Sequence, residues 1–182
     1  MREGSRILLL GPCGSGFSPP DGVRNALLVA GGMGVAPLAY LAEKLARMGS
    51  GVTLLYGTKS AEQQVVLDWL EACGVKVERC TDDGSAGHHG TVLSLAEKRL
   101  GASAQAEPVA QYIAACGPEV MLSHLWSMVA CLEQPKVEFA LENRMACGVG
   151  ACLGCTIELA SGKRARVCRE GPVFEAREVY GR

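Results

Sequence analysis

From Asn25 to about Leu132, short apolar runs alternate with stretches in which apolar residues recur every three or four positions. Ala26–Ala30 is a compact apolar run ending in glycines, the pattern of a buried parallel strand. The next stretch carries Leu38, Leu41, Ala42, Leu45 and Met48 on one helical face, with Pro37 in the first turn. Val52–Tyr56 reads as a second strand. Ser60, with Gln63 three residues on, forms a capping-box pattern before a helix whose predicted stripe is Val66, Trp69, Leu70 and Cys73. Lys76–Cys80 is a third strand, and the turn-rich stretch from Asp82 through Gly87 and Gly90 leads to a helix over Thr91–Leu100. Residues 101–108 are small and polar, as in a surface loop. Gln111–Cys116 is a fourth strand, and Pro118 opens a helix with Met121, Leu122, Leu125, Trp126 and Val129 inward. This alternation predicts an α/β fold, a parallel Rossmann-like sheet with helices on both faces.

After Pro135 the period changes. Val137–Leu141, Thr156–Leu159 and Ala165–Cys168 are short β-like pieces around a set of cysteines, with Ser161-Gly162 as a hairpin turn. The expected organisation is a nucleotide-binding unit over residues 21–134 and a small β-rich unit over 135–182. Composition narrows the function classes. With 48% hydrophobic and 20% charged residues and a net charge of −1, the chain is neither disordered nor a basic nucleic-acid binder. Its longest apolar run is too short to span a bilayer. Nine cysteines, an odd number, and no secretory signal argue against a disulfide framework and fit a reducing cytoplasm.

Four of those cysteines carry the chemistry. Cys147, Cys152 and Cys155 follow a Cys-x4-Cys-x2-Cys spacing, and Cys168 comes after a further gap. That is the plant-type pattern for holding a [2Fe–2S] cluster. Gly148, Gly150, Ala151 and Gly154 are small enough for the loop to bend closely around it, with positive φ available. Met145 and Leu153 are candidates for shielding the cluster, and Arg144 for offsetting its negative charge. Zinc is the competing reading, since Cys-x2-Cys is also a zinc half-site; zinc ribbons, however, pair two such half-sites and this chain has one. The other cysteines, Cys13, Cys73, Cys80, Cys116 and Cys131, read as small apolar residues.

A second candidate site lies at the glycine loop Gly31-Gly32-Met33-Gly34-Val35-Ala36-Pro37, between the first strand and first helix, where backbone amides can bind a pyrophosphate. Pro37 stands where the Rossmann fingerprint has its third glycine, and tight turns are the bland alternative. Cys116-Gly117-Pro118-Glu119 ends the fourth strand on the same sheet edge, where open α/β folds bind ligands. After the second strand the chain reads Tyr56-Gly57-Thr58-Lys59, without the usual acidic ribose anchor. Lys59 is either a 2′-phosphate partner or a solvated charge, which leaves NAD against NADP open. His88 and His89, beside Asp82 and Asp83, read more readily as a solvated loop than as a metal site. Glu119 is assigned no catalytic role.

The two loops together resemble the nicotinamide domain of ferredoxin–NADP reductase-type flavoproteins. Residues 142–155, with Thr81-Asp82-Asp83-Gly84-Ser85 and Gly171-Pro172-Val173-Phe174, narrow the resemblance to the electron-transfer subunits of dihydroorotate dehydrogenase B. It covers nearly the whole chain. It implies a relay in which an FMN-containing partner oxidises dihydroorotate, and electrons pass through the [2Fe–2S] cluster to FAD and then NAD⁺, in pyrimidine biosynthesis. Cys147, Cys152, Cys155 and Cys168 match the cluster ligands. Gly31, Gly32 and Gly34 match the pyrophosphate loop, and Cys116 a position beside the nicotinamide, where it packs rather than attacks. Pro37, Tyr56, Gly57, Lys59, Asp82, Gly117 and Pro118 complete the expected cofactor-binding set. The resemblance also implies a hetero-oligomer, two of each subunit, with neither nucleic acid nor membrane as partner.

One departure stands out. The family begins with a flavin-binding barrel bearing an Arg-x-Tyr-Ser/Thr motif, which is absent here; residues 1–20, with Arg6–Leu10 as a last strand, resemble only its remnant. The expectation is that in-frame codons upstream of Met1 encode the rest of the barrel, rather than that the polypeptide is a fragment or that another chain supplies the flavin. The alternatives are a related iron–sulfur reductase subunit serving ferredoxin, hydrogenase or sulfur reduction, and a zinc-stabilised nucleotide-binding module.

Overall fold

A computed structural model describes residues 2–102, 110–132 and 135–181. The apolar runs form strands β1 (Asn25–Gly31), β2 (Gly51–Thr58), β3 (Lys76–Thr81) and β5 (Tyr112–Cys116), with a two-residue β4 (His88–His89). The helices are α1 (Val35–Arg47), α2 (Leu67–Ala72), α3 (Val92–Ala102) and α4 (Glu119–Val129). Beyond them lie β6 (Lys136–Ala140), β7 (Thr156–Glu158), β8 (Arg164–Arg166), β9 (Val173–Glu175) and α5 (Ala176–Tyr180). The main sheet has the order β4-β3-β2-β1-β5-β6-β9, parallel throughout except for the antiparallel β6–β9 pair.

Strand alternation divides the core into two layers. Leu27 and Val29 of β1 face one side with Ile113, Leu122 and Leu125, while Leu28 and Ala30 face the other with Leu38, Leu45 and Leu70. Because side chains on a strand point alternately to opposite faces, a strand buried on both sides must be apolar at every position. The unbroken runs in β1 and β5 follow from that requirement.

The period change at Pro135 does not mark the end of the sheet. β6 is its fifth long parallel strand, in register with β5, and β9 closes the edge beyond it. Only β7 and β8 form a separate antiparallel hairpin, turned at Gly162, whose amide donates to the Leu159 carbonyl at 2.8 Å. Cys155, Ala165, Val167 and Cys168 pack in the same apolar layer as Leu122 and Phe139. The cysteine-bearing segment is therefore sewn to the sheet on both sides.

Several further expectations differ from what the structure shows. Ser60 does not cap α2: Lys59 N–H donates to Gln63 Oε1, the Ala61 amide donates to Ser85 Oγ, and the chain closes a single 3-10 turn over Ala61–Gln63. The helix begins only at Leu67, after Val66 at φ +58°, a left-handed conformation that is costly for a β-branched residue. Of the predicted stripe, Leu70 is buried, while Val66 and Trp69 are exposed. Met48 likewise lies exposed, just past the end of α1. Arg6–Leu10 pairs with no strand among the described residues, and Leu8 and Leu9 stand fully open to solvent. Gly101 and Ala102, expected to begin a loop, extend α3; residues 103–108 lie outside the described residues.

Ahead of β1, residues 15–18 form a strap across the sheet edge. Ser15 bonds backbone to backbone with Gly171, and Ser18 donates through both its amide and its hydroxyl to the carboxylate of Glu138. Glu138 is buried and also receives Tyr112 Oη at 2.5 Å and Lys136 Nζ at 2.8 Å.

Candidate cofactor sites

The C-terminal ends of β1, β2, β3 and β5 converge on a cleft of about 360 Å³. It gathers six of the residues singled out from the sequence: Gly31, Gly32, Gly57, Lys59, Asp82 and Pro118. Gly31 and Gly117 let the two loops touch. A β-carbon on Gly117 would lie 3.1 Å from the Gly31 Cα, and one on Gly31 would lie 2.7 Å from Met121 Sδ. The remaining nucleotide candidates are placed differently. Gly34 is buried, and any side chain there would strike the Cys116 carbonyl. Tyr56 is also buried, its hydroxyl donating to the Gln63 carbonyl at 3.3 Å. Thr58, Gln63, Thr91 and Glu142 line the cleft but carry no sequence signal that separates them from ordinary surface residues.

Two aspartates follow β3, and they differ. Asp83 accepts the Ser85 amide at 2.9 Å and the Ser85 hydroxyl at 2.6 Å, which lower its pKa. The Asp82 carboxylate takes no hydrogen bond among the described residues and faces the cleft. His88 and His89, read as part of a solvated loop, instead form the edge strand β4 paired with β3, where His88 lies near Ser94 Oγ and Lys98 Nζ. Glu119 accepts the Tyr180 hydroxyl at 2.8 Å.

A second cleft, about 500 Å³, shares Glu142 with the first. Phe17, Tyr40, Leu41 and Leu141 give it apolar walls, and Pro37 and Cys116 line it rather than the first cleft. Burial, with the nearby Glu142 carboxylate, pushes the Cys116 thiol up to about 11. It stays protonated at neutral pH and is a packing group rather than a nucleophile.

The four cysteines of residues 147–168 come in two pairs. The Cys152 amide donates to Cys147 Sγ at 3.4 Å, and the Cys168 amide to Cys155 Sγ at 3.5 Å. The side chains interact within the same pairs. Among the described residues, no three His, Cys, Asp or Glu side chains gather in a group suited to one metal ion. Amide donation from Cys152 and then Val149 draws the Cys147 thiol down to about 6, and donation from Cys168 lowers Cys155, favouring the thiolates that metal ligation requires.

The loop's conformation differs in detail from expectation. Gly148 and Gly150 adopt positive φ, but the third such residue is Leu153 at +61° rather than Gly154. Met145 and Leu153 are exposed. The cation bound to the loop is Arg166, not Arg144: Arg166 Nη1 donates to the Gly150 carbonyl at 3.0 Å. No spacing rule singles out that arginine.

Residues 142–180 match the family described as the iron–sulfur cluster binding domain of dihydroorotate dehydrogenase B. The chain is 38% identical to the dihydroorotate dehydrogenase B (NAD(+)) electron transfer subunit homolog of Aquifex aeolicus (strain VF5), covering 98% of this chain and 66% of that protein. It is also 38% identical to the probable electron transfer subunit of Archaeoglobus fulgidus, over 98% of this chain and 70% of the relative. The chain thus spans about two thirds of the length of the curated relatives it matches. Among solved structures, NADH-dependent reduced ferredoxin–NADP oxidoreductase superposes with a TM-score of 0.80 at 26% identity, over 98% of this chain and 62% of that one. The ferredoxin reductase of carbazole 1,9a-dioxygenase shares the fold, with a TM-score of 0.55 at 22% identity over 68% of this chain and 39% of that one. By sequence over nearly its whole length, the chain belongs to the family of dihydroorotate dehydrogenase B electron-transfer subunits.

Proposed function

We propose that this chain passes electrons from a dihydroorotate-oxidising, FMN-containing partner, through a [2Fe–2S] cluster and FAD, to NAD⁺ in cytoplasmic pyrimidine biosynthesis. The observation that carries the reading is the two-by-two arrangement of thiols on the same molecule as a nucleotide-sized cleft. A zinc ion needs four donors around one point; two sulfur pairs match two irons. Bound in this loop, such a cluster supplies one-electron transfer.

The chain's own residues bind and orient. Cys147 and Cys152 would hold one metal and Cys155 and Cys168 the other, with the amides of Cys152 and Cys168 directed at sulfur. Gly31, Gly32 and Pro118 let a dinucleotide approach the backbone at the sheet edge. Asp82, its carboxylate unengaged, accepts hydrogen bonds from ribose hydroxyls and repels a 2′-phosphate, so NAD(H) is favoured over NADP(H), with Lys59 at the neighbouring strand end. The walls formed by Phe17, Tyr40 and Leu141 suit a flavin ring, and the protonated Cys116 packs beside it. The working assembly is a hetero-oligomer with two copies of each subunit.

The likeness to NADH-dependent reduced ferredoxin–NADP oxidoreductase favours a second reading, a reductase subunit that exchanges electrons with ferredoxin. Mixing the chain anaerobically with added FAD and its FMN partner separates the two. Dihydroorotate-dependent formation of NADH is expected. Turnover with reduced ferredoxin and none with dihydroorotate would contradict the first reading.

A further inference from the structure

Arg166 occupies the junction between the two segments that carry the thiols. Its backbone carbonyl receives the amides of Arg169, Glu170 and Gly171, closing the turn that presents Cys168. Its side chain reaches the other segment, with Nη1 donating to the Gly150 carbonyl at 3.0 Å inside the loop of Cys147, Cys152 and Cys155. The guanidinium is itself held in place: Nε donates to Glu170 Oε2 at 3.0 Å, Nη2 pairs with Glu170 Oε1, and the same carboxylate accepts the Arg166 amide at 2.7 Å. This planar fork gives a fixed direction that a flexible ammonium would not.

Fixing the Gly150 carbonyl has a geometric consequence. In a trans peptide the C=O and the following N–H point opposite ways. With the carbonyl drawn toward Arg166, the Ala151 N–H is turned to the opposite side, in the same loop whose Cys152 amide donates to Cys147 Sγ at 3.4 Å. Gly150 is buried at φ +80°, and a β-carbon there would come within 2.9 Å of Arg169 Cδ and 3.3 Å of Arg166 Nη1. Arg166 therefore sets the orientation of the peptide that precedes the Cys152 end of the loop.

We propose that Arg166 is a positioning residue for the iron–sulfur centre, locking the Gly150–Ala151 peptide so that its amide faces the sulfur of Cys147 and thereby raising the reduction potential. The inference rests on the cluster reading given above. Amide donation to cluster sulfur and nearby positive charge both favour the reduced, more negative state. Keeping the charge while removing the fork distinguishes the two contributions.

The test uses the full chain with its cluster reconstituted anaerobically. It reads iron and sulfide per chain, visible circular dichroism and midpoint potential for the parent, Arg166→Met, Arg166→Lys and Glu170→Gln. Arg166→Met is expected to disfavour reduction about tenfold, a negative shift of about 59 mV for one electron. Arg166→Lys is expected to shift it in the same direction by a few-fold, with altered visible dichroism. If Arg166→Lys holds a cluster with the parent's potential and dichroism, charge alone is at work and the positioning role is overturned. If neither arginine variant loads iron, Glu170→Gln decides: a negative shift supports the proposal and an unchanged potential overturns it. A parent chain without iron would refute the cluster reading itself, and this inference with it.

Discussion

At the residue scale, chemistry is settled by which polar groups are already satisfied inside the protein. Asp83 spends its carboxylate on Ser85, while Asp82, one residue earlier, keeps its carboxylate for the cleft. Asp82→Asn is therefore expected to weaken NADH binding several-fold and to narrow the discrimination against NADPH, because Lys59 then meets a 2′-phosphate without an opposing charge. Fluorescence titration of both nucleotides checks this; unchanged affinity for each would remove Asp82 from the site. The same accounting explains Cys116, which sits on the ligand edge of the sheet yet stays a protonated thiol through burial.

At the element scale, long elements were legible in the sequence because their burial repeats. The uninterrupted apolar runs of β1 and β5 announce strands covered on both faces, and the spacing of Leu38, Leu41 and Leu45 announces the buried face of α1. Elements at and beyond the end of the strand–helix alternation were not. β6 is as long as β5, but with no helix following it to continue the alternation its apolar run does not say which sheet it joins, and β9, with three residues, is too short for periodicity. The capping box at Ser60 failed because a tertiary donor-acceptor pair, Ala61 with Ser85, took over the local turn. Of the candidate site, the four thiols and the glycine loops were readable from spacing. The arginine that orients the cysteine loop, and the use of Gly34 and Tyr56 as packing groups, depend on three-dimensional contacts with no local signature.

The strap over residues 15–18 is another such element, and it carries a pH prediction. Burial opposes the charge on Glu138, but hydrogen bonds from Lys136, Ser18 and Tyr112 outweigh it and hold the carboxyl below its ordinary value. A depressed carboxyl contributes stability that is present above the unfolded value of about 4.3 and is lost as pH falls through the folded value. Glu138→Gln is expected to cost about 1–3 kcal/mol near neutral pH, where the charged acceptor is intact. It should also flatten the loss of stability below pH about 4.3. Chemical denaturation across that range measures both; parallel pH profiles for the two proteins would show that Glu138 does not hold the strap.

At the scale of the whole molecule, the cysteine-bearing segment and the nucleotide-binding sheet share one apolar layer and one strand edge. Cys155 and Cys168 pack beside residues that also pack beneath the sheet, so a metal centre held there is mounted rigidly relative to both clefts. A fixed mounting of that kind suits electron relay, in which separation between centres must not wander. The claim on which this rests is that the thiol pairs hold two irons. Metal and sulfide analysis of the anaerobically purified chain, with electron paramagnetic resonance after reduction, tests it most directly. The account predicts about two irons and two sulfides per chain with a rhombic signal from the reduced [2Fe–2S] centre; a colourless protein with tetrahedral zinc and no iron would contradict it.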